Sequence, residues 1–177
     1  MSPDGETRRL IDLALRQVRV EAGELPALWL TAWEQAAAPM PVATLRVIAA
    51  ELRAFVTLDL AALAPDCVFK PEAARVLLIL LLLAVTSLPQ GGRMRLAGSA
   101  DDAFLLIEGP QAGWPSGMGE CLANAASAQA ALDAGDTTLM SRTALLAHCS
   151  GVRLSFMLAT HAPGRGSGAP PMIRMGG

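Results

Sequence analysis

Apolar and polar positions alternate between two periods along this chain, and the switch between them marks out its elements. From Glu6 to Glu21, the residues Leu10, Leu13, Ala14, Gln17 and Val18 recur at helical spacing, with Arg9, Arg16 and Arg19 elsewhere on the surface. Gly23 closes this first helix and Pro26 opens a second, striped by Leu25, Trp29, Ala32, Trp33 and Ala36. A Trp stripe at this spacing reads as packing rather than as a ligand box. Pro39 and Pro41 break the chain. A third helix follows from Val42 to about Ala54, with Leu45, Ile48, Ala49 and Leu52 inward. Phe55 to Leu60 is β-rich and partly alternating, which predicts a strand.

Val76 to Val85 is an unbroken run of ten apolar residues, inside a helix predicted from Pro71 to near Leu88. A membrane span needs about 20 such residues, so this run reads as a buried core helix. Gln90-Gly91-Gly92 is a turn, and Arg93 to Leu96 alternates as a half-buried strand. Asp101-Asp102 turns the chain into a further strand from Ala103 to Glu108, making a hairpin. Gly109 to Gly119 is a loop. One Ala-rich helix is expected from Cys121 to Leu132, then, after Gly135, a last helix from Thr137 to Cys149 that Gly151 stops. Val152 to Ala159 reads as a strand. Ala162 to Pro171 is a flexible link, and Met172 to Met175 an edge strand or frayed tail.

Strands that are mostly neighbours in sequence, with helices set between them, predict an α+β fold: a two-layer sandwich with its helices on one face of a mixed sheet, preceded by N-terminal helices. The expected division is a helical segment over 1–40, a core domain over 41–162 and a flexible tail over 163–177.

Composition narrows the function. The apolar share of 53% against 17% charged residues excludes a disordered chain, and a net charge of −2 gives no reason to expect nucleic acid as a partner. Gly164-Arg165-Gly166 is a single Arg-Gly element without the repeated charge that RNA binding needs. Cys67, Cys121 and Cys149 are odd in number and far apart, the pattern of free thiols in a reducing compartment. The acidic, polar start is unlike a secretory signal, so the expected location is the cytoplasm, off the membrane.

Candidate chemistry is sparse. The histidines are His148 and His161, and no Gly-x-Ser-x-Gly or phosphate-cradling Gly-x-x-x-x-Gly-Lys is present, since Lys70 is the one lysine. No cluster of His, Cys and carboxylates has metal-ligand spacing. No catalytic, cofactor or metal residue is therefore assigned.

The order of elements is more telling. Arg75 to Leu96, RVLLILLLLAVTSLPQGGRMRL, resembles the helix-turn-strand of the histidine-kinase ATPase fold. In that family the helix carries asparagines that hold magnesium on ATP, but the matching positions are Ile79 and Leu83, which offer no oxygen. Leu105 to Pro115, LLIEGPQAGWP, resembles the strand and loop that carry the family's adenine-binding Asp-x-Gly-x-Gly, with Glu108-Gly109 in the region and no Asp. Leu145 to Phe156, LLAHCSGVRLSF, resembles its last helix and strand, with His148 at a structural position.

This combination is similar to the ChpT-type histidine phosphotransferases of alphaproteobacteria, which pair a dimerising helical hairpin with an ATPase-like domain that binds no ATP. Arg8 to Gly23 resembles the second hairpin helix and Thr57 to Leu60 the first core strand. The resemblance implies a phosphorelay role between the receiver domain of a hybrid sensor kinase and response regulators, with no cofactor and a possible homodimer. It points to Leu10, Leu13, Ala14, Val18, Arg9 and Arg16 as the face for dimerisation or receiver docking. The family's acceptor histidine, followed by an acidic residue on the first hairpin helix, has no match here. Two expectations follow: a transferase whose start lies upstream, or a non-catalytic scaffold of the same fold.

Overall fold

The computed structural model describes residues 9, 25–52, 56–136, 139–157 and 172–177. Its centre is the apolar run. Helix α3 (Pro71–Thr86) starts on a proline in its first turn, where a missing N–H costs nothing. Every residue from Val76 to Val85 is buried. A helix apolar on all sides needs cover on all sides, and three layers of the chain provide it.

On one flank lies α1 (Leu25–Gln35), where Trp29, Ala32 and Trp33 of the predicted stripe are buried, as is Ala36 just past the helix end. The Arg75 guanidinium lies 5.7 Å from the centre of the Trp33 ring, a cation–π contact joining α3 to α1. Helix α2 (Val42–Leu52) buries Val42, Leu45, Ile48 and Leu52. On another flank lie α4 (Met118–Ala123), α5 (Ala125–Asp133) and α6 (Met140–Ser150), with α6 packed directly on α3.

The third layer is a mixed five-stranded sheet in the order β2 (Val56–Asp59), β4 (Gly92–Gly98), β5 (Asp102–Glu108), β7 (Met172–Gly176), β6 (Arg153–Met157). Strands β2 and β4 are parallel, with α3 in the crossover between them, and the other pairs are antiparallel. The register puts buried against buried: Met94 opposite Ile107, Leu105 opposite Ile173, Met175 opposite Leu154. These side chains join α3 in one core. The alternate positions, Arg93, Arg95, Phe104, Leu106, Arg153 and Arg174, face outward. One covered face and one open face is the two-layer α+β sandwich that the pattern predicted. Among the described residues no helix is long and apolar enough to cross a membrane.

Three expectations need correction. The helix expected over Cys121 to Leu132 is two helices: it starts at Met118 and breaks at Asn124, whose backbone is extended and whose Oδ1 accepts from the Ala126 N–H at 2.9 Å. An Asn that caps the next helix outweighs the surrounding alanines. The prolines at 39 and 41 do more than break the chain, because β1 (Met40–Pro41) pairs antiparallel with β3 (Val68–Phe69). A two-residue ribbon has a free edge on which Pro41 loses no ladder bond. Trp29 and Trp33 belong to the same core cluster as α3.

The last correction is the largest. Met172 to Gly176 is neither tail nor edge: β7 lies between β5 and β6. Sheet pairing is decided by partners distant in sequence, which local composition does not record. The first predicted helix lies outside the described residues except at Arg9, which is helical and exposed. The link over 162–171 lies outside them as well.

Candidate functional site

The positions that the sequence resemblance matches to magnesium-holding asparagines are part of the core. Ile79 and Leu83 stand one turn apart on α3 and are each 1% exposed. The hydroxyls nearby are used internally. Thr86 Oγ1 and Ser87 Oγ both donate to the Leu83 carbonyl at 2.8 Å, which closes the helix end on itself. The Ser87 carbonyl accepts from the Gly113 N–H at 3.2 Å, fastening the 109–117 loop to α3. Trp114 in that loop packs partly buried against the core.

Beside this joint the backbone of β4 meets that of β5 at the closest approach glycine permits. A Cβ on Gly92, where φ is +150°, would lie 2.3 Å from the Glu108 carbonyl oxygen. A Cβ on Gly109 would lie 2.5 Å from the Gly91 carbonyl oxygen. These glycines permit strand closure rather than cradling a ligand. The Glu108 side chain is outward by strand alternation, opposite Arg93 in register and away from α3. Helix, glycines and loop thus form a closed packing joint.

His148 is held by its ring. Its Nε2 is 3.0 Å from the Cys121 backbone carbonyl. A carbonyl only accepts, so in this contact Nε2 is the donor and Nδ1 keeps the ring's lone pair. The bond ties α6 to α4, a structural role matching the one the resemblance implied. His161 lies outside the described residues.

Cys67 and Cys121 are buried, and burial first, then nearby carboxylates, pushes both thiols above their ordinary range. For Cys67 those carboxylates are Asp66 and Asp101; for Cys121 they are Asp136 and Glu120. Both remain protonated at neutral pH and are poor nucleophiles. Cys149 is exposed and free. Among the described residues no group of three or more His, Cys, Asp or Glu side chains could hold a metal ion.

Of the docking residues named from the sequence, Arg9 is exposed on a helical residue, while Leu10, Leu13, Ala14, Arg16 and Val18 lie outside the described residues. The structure therefore brings none of them together with another. It does assemble one polar constellation that sequence reasoning missed. Arg174 on β7 donates to Asp102 on β5 through Nε at 2.6 Å and Nη2 at 3.1 Å, and its guanidinium lies 5.8 Å from the Phe104 ring centre. The hydrogen bond that Asp102 accepts, and then its charge, hold Arg174 more firmly protonated than usual. Arg153 and Ser155 on β6 share this outer face. The alternation of Met172 to Gly176 was the available signal; the neighbours of that strand were not.

Comparison with known proteins agrees with this architecture. A structure described as a bacterial phosphotransferase, solved at 1.7 Å, superposes with a TM-score of 0.53 at 16% identity, covering 93% of this chain and 85% of that one. At that identity the likeness concerns the fold. No curated protein matches the chain. Residues 42–160, from the start of α2 to just past β6, match the family described as the histidine phosphotransferase C-terminal domain. That match spans well over half of the sequence, and on it the chain belongs to the histidine phosphotransferase family.

Proposed function

We propose that the protein works in a bacterial two-component phosphorelay, passing phosphoryl groups between the receiver domain of a hybrid histidine kinase and response regulators. The observation that carries this reading is the filled joint at Ile79 and Leu83 in a phosphotransferase-family fold. With no oxygen ligands at these positions a magnesium-ATP complex has no seat there, and this reading takes the phosphoryl group from another protein. Receiver domains are the partners that the family resemblance supplies. The proposed setting is the cytoplasm.

A second reading, a docking or dimerising scaffold without transfer, is favoured by one observation: the Nε2 of His148 is occupied by the Cys121 carbonyl. Incubation with a labelled phospho-receiver, read as acid-labile phosphate, separates the two. His148→Ala is expected to leave labelling of the chain unchanged, because that imidazole holds helices together. The 177-residue chain itself is expected to take no label. Labelling that appears once a helix bearing His is joined upstream supports transfer. Its absence there too supports the scaffold. Stoichiometric labelling removed by His148→Ala would overturn the assignment of that residue.

The docking or dimer face is proposed at Leu10, Leu13, Ala14 and Val18, flanked by Arg9 and Arg16. An amphipathic helix needs a partner for its stripe. The rival cover was the Trp29/Trp33 helix, but those side chains are spent on the core of their own domain. Leu13→Asp is expected to convert a dimer to a monomer in sedimentation velocity, and an unchanged dimer would place the interface elsewhere.

A further inference from the structure

The open face of the sheet carries a feature that the phosphorelay reading does not use. Between the ends of β7 and β6 lies a half-open cleft of about 230 Å³, lined by Asp101, Arg153, Ser155, Arg174, Gly176 and Gly177. Its geometry follows from register. Ser155 is directly opposite Arg174, and Arg153 is directly opposite Gly176. Arg153, Ser155 and Arg174 therefore form a triangle on one face, with sides of about 5 to 8 Å between Cβ positions.

Arg174 is fixed in advance. Asp102 takes its Nε edge, and the Phe104 ring lies beneath it. Nη1 is left to point elsewhere. Among the described residues Arg153 has no ion pair and no side-chain hydrogen bond. Opposite it Gly176 has no side chain, and a Cβ built there would meet nothing within 4 Å. The cleft thus pairs one preorganised guanidinium with one free guanidinium and a hydroxyl, around a space kept open by glycine. The acidic wall, Asp101, is 3.6 Å from Lys70, which offsets its charge.

We infer that this cleft binds a tetrahedral oxyanion, a phosphate or a phosphomonoester, through Arg153, Ser155 and Arg174. Three donors that are not in line suit three oxygens splayed from one centre. A planar carboxylate offers two oxygens, and its preferred fork on Arg174 is already occupied by Asp102. The volume admits a phosphate group. The site is solvent-facing, so its affinity is of the order of millimolar.

The test is amide chemical-shift mapping of the full chain titrated with inorganic phosphate at constant ionic strength, with phosphoserine and succinate as parallel titrants. Saturable shifts centred on Arg153, Ser155, Arg174 and Gly176 are expected. Arg153→Gln should weaken binding about tenfold, the loss of one charge-assisted contact. Gly176→Glu should abolish it by placing a carboxylate in the cleft, and the open space at that position lets the fold persist. Saturation by phosphoserine as well as phosphate identifies a phosphomonoester site, and saturation by phosphate alone a free-phosphate site. A response that is linear, scattered over the surface or unchanged in Arg153→Gln would overturn the inference. Succinate binding as tightly as phosphate would overturn it too, since the cleft would then select charge and not shape.

Discussion

Truncation of the chain after residue 171 is expected to abolish its cooperative unfolding transition. The removed strand, β7, supplies the ladder partners of both β5 and β6. Without it β6 loses the only strand it pairs with in the sheet order, and the inner faces of Leu105 and Leu154 lose Ile173 and Met175. Ile173 is fully buried and Met175 is 3% exposed. Losing one such side chain to Ala costs about 2–5 kcal/mol, and a domain of this size has about 5–15 kcal/mol in all. Loss of both, about 4–10 kcal/mol, together with the hydrogen bonds of two ladders, is comparable with that whole stability. The measurement is thermal denaturation followed by near-ultraviolet circular dichroism. A truncated chain that melts sharply near the intact protein's midpoint would show that β7 only decorates the sheet. Ile173→Ala provides the graded case: a folded protein with a midpoint lowered by several degrees.

The elements with strong local signals were legible in the sequence. Helix α3 announced itself by length and by Pro71, the β4–β5 hairpin by alternation and glycine turns, and α1 by its Trp stripe. What escaped was set by contacts distant in the chain. Met172 to Gly176 alternates weakly after a Gly/Pro-rich stretch, and nothing local reveals that it enters between two strands already made. Local propensity favoured one long Ala-rich helix, yet a single Asn124 side chain bonding to the Ala126 N–H divides it. The same distinction holds for function. That Ile79 and Leu83 offer no oxygen to a magnesium ion was readable from residue type alone. The approach of Arg153 to Arg174 depends on the β6–β7 register, so it existed nowhere in the sequence pattern.

Placing asparagine at Ile79 or Leu83 is expected to damage the fold without creating a nucleotide site. A degenerate pocket can be lost in two ways: its ligands change while the space remains, or the space itself fills. Here both side chains are 1% exposed inside a helix whose residues from Val76 to Val85 are all buried. Leu83→Asn removes about 2 kcal/mol of apolar burial. It also strands an amide that costs about 1–3 kcal/mol more if no partner is found. Thr86 and Ser87 already spend their hydroxyl hydrogens on the Leu83 carbonyl, so donating to the new amide oxygen would break those bonds. A loss of about 3–5 kcal/mol is therefore expected in urea unfolding for each variant. Ile79→Asn should behave alike, and the pair should be non-additive because the two positions lie four residues apart on one helix face. Leu83→Met, which keeps volume and apolar character, should cost less than about 1.5 kcal/mol and serves as the control. Calorimetry with magnesium-ATP on whichever asparagine variant stays folded should show no heat of binding. Micromolar, magnesium-dependent binding by a folded Leu83→Asn protein would mean that the site was merely disarmed. A phosphoryl route through ATP would then be open to this family member after one substitution.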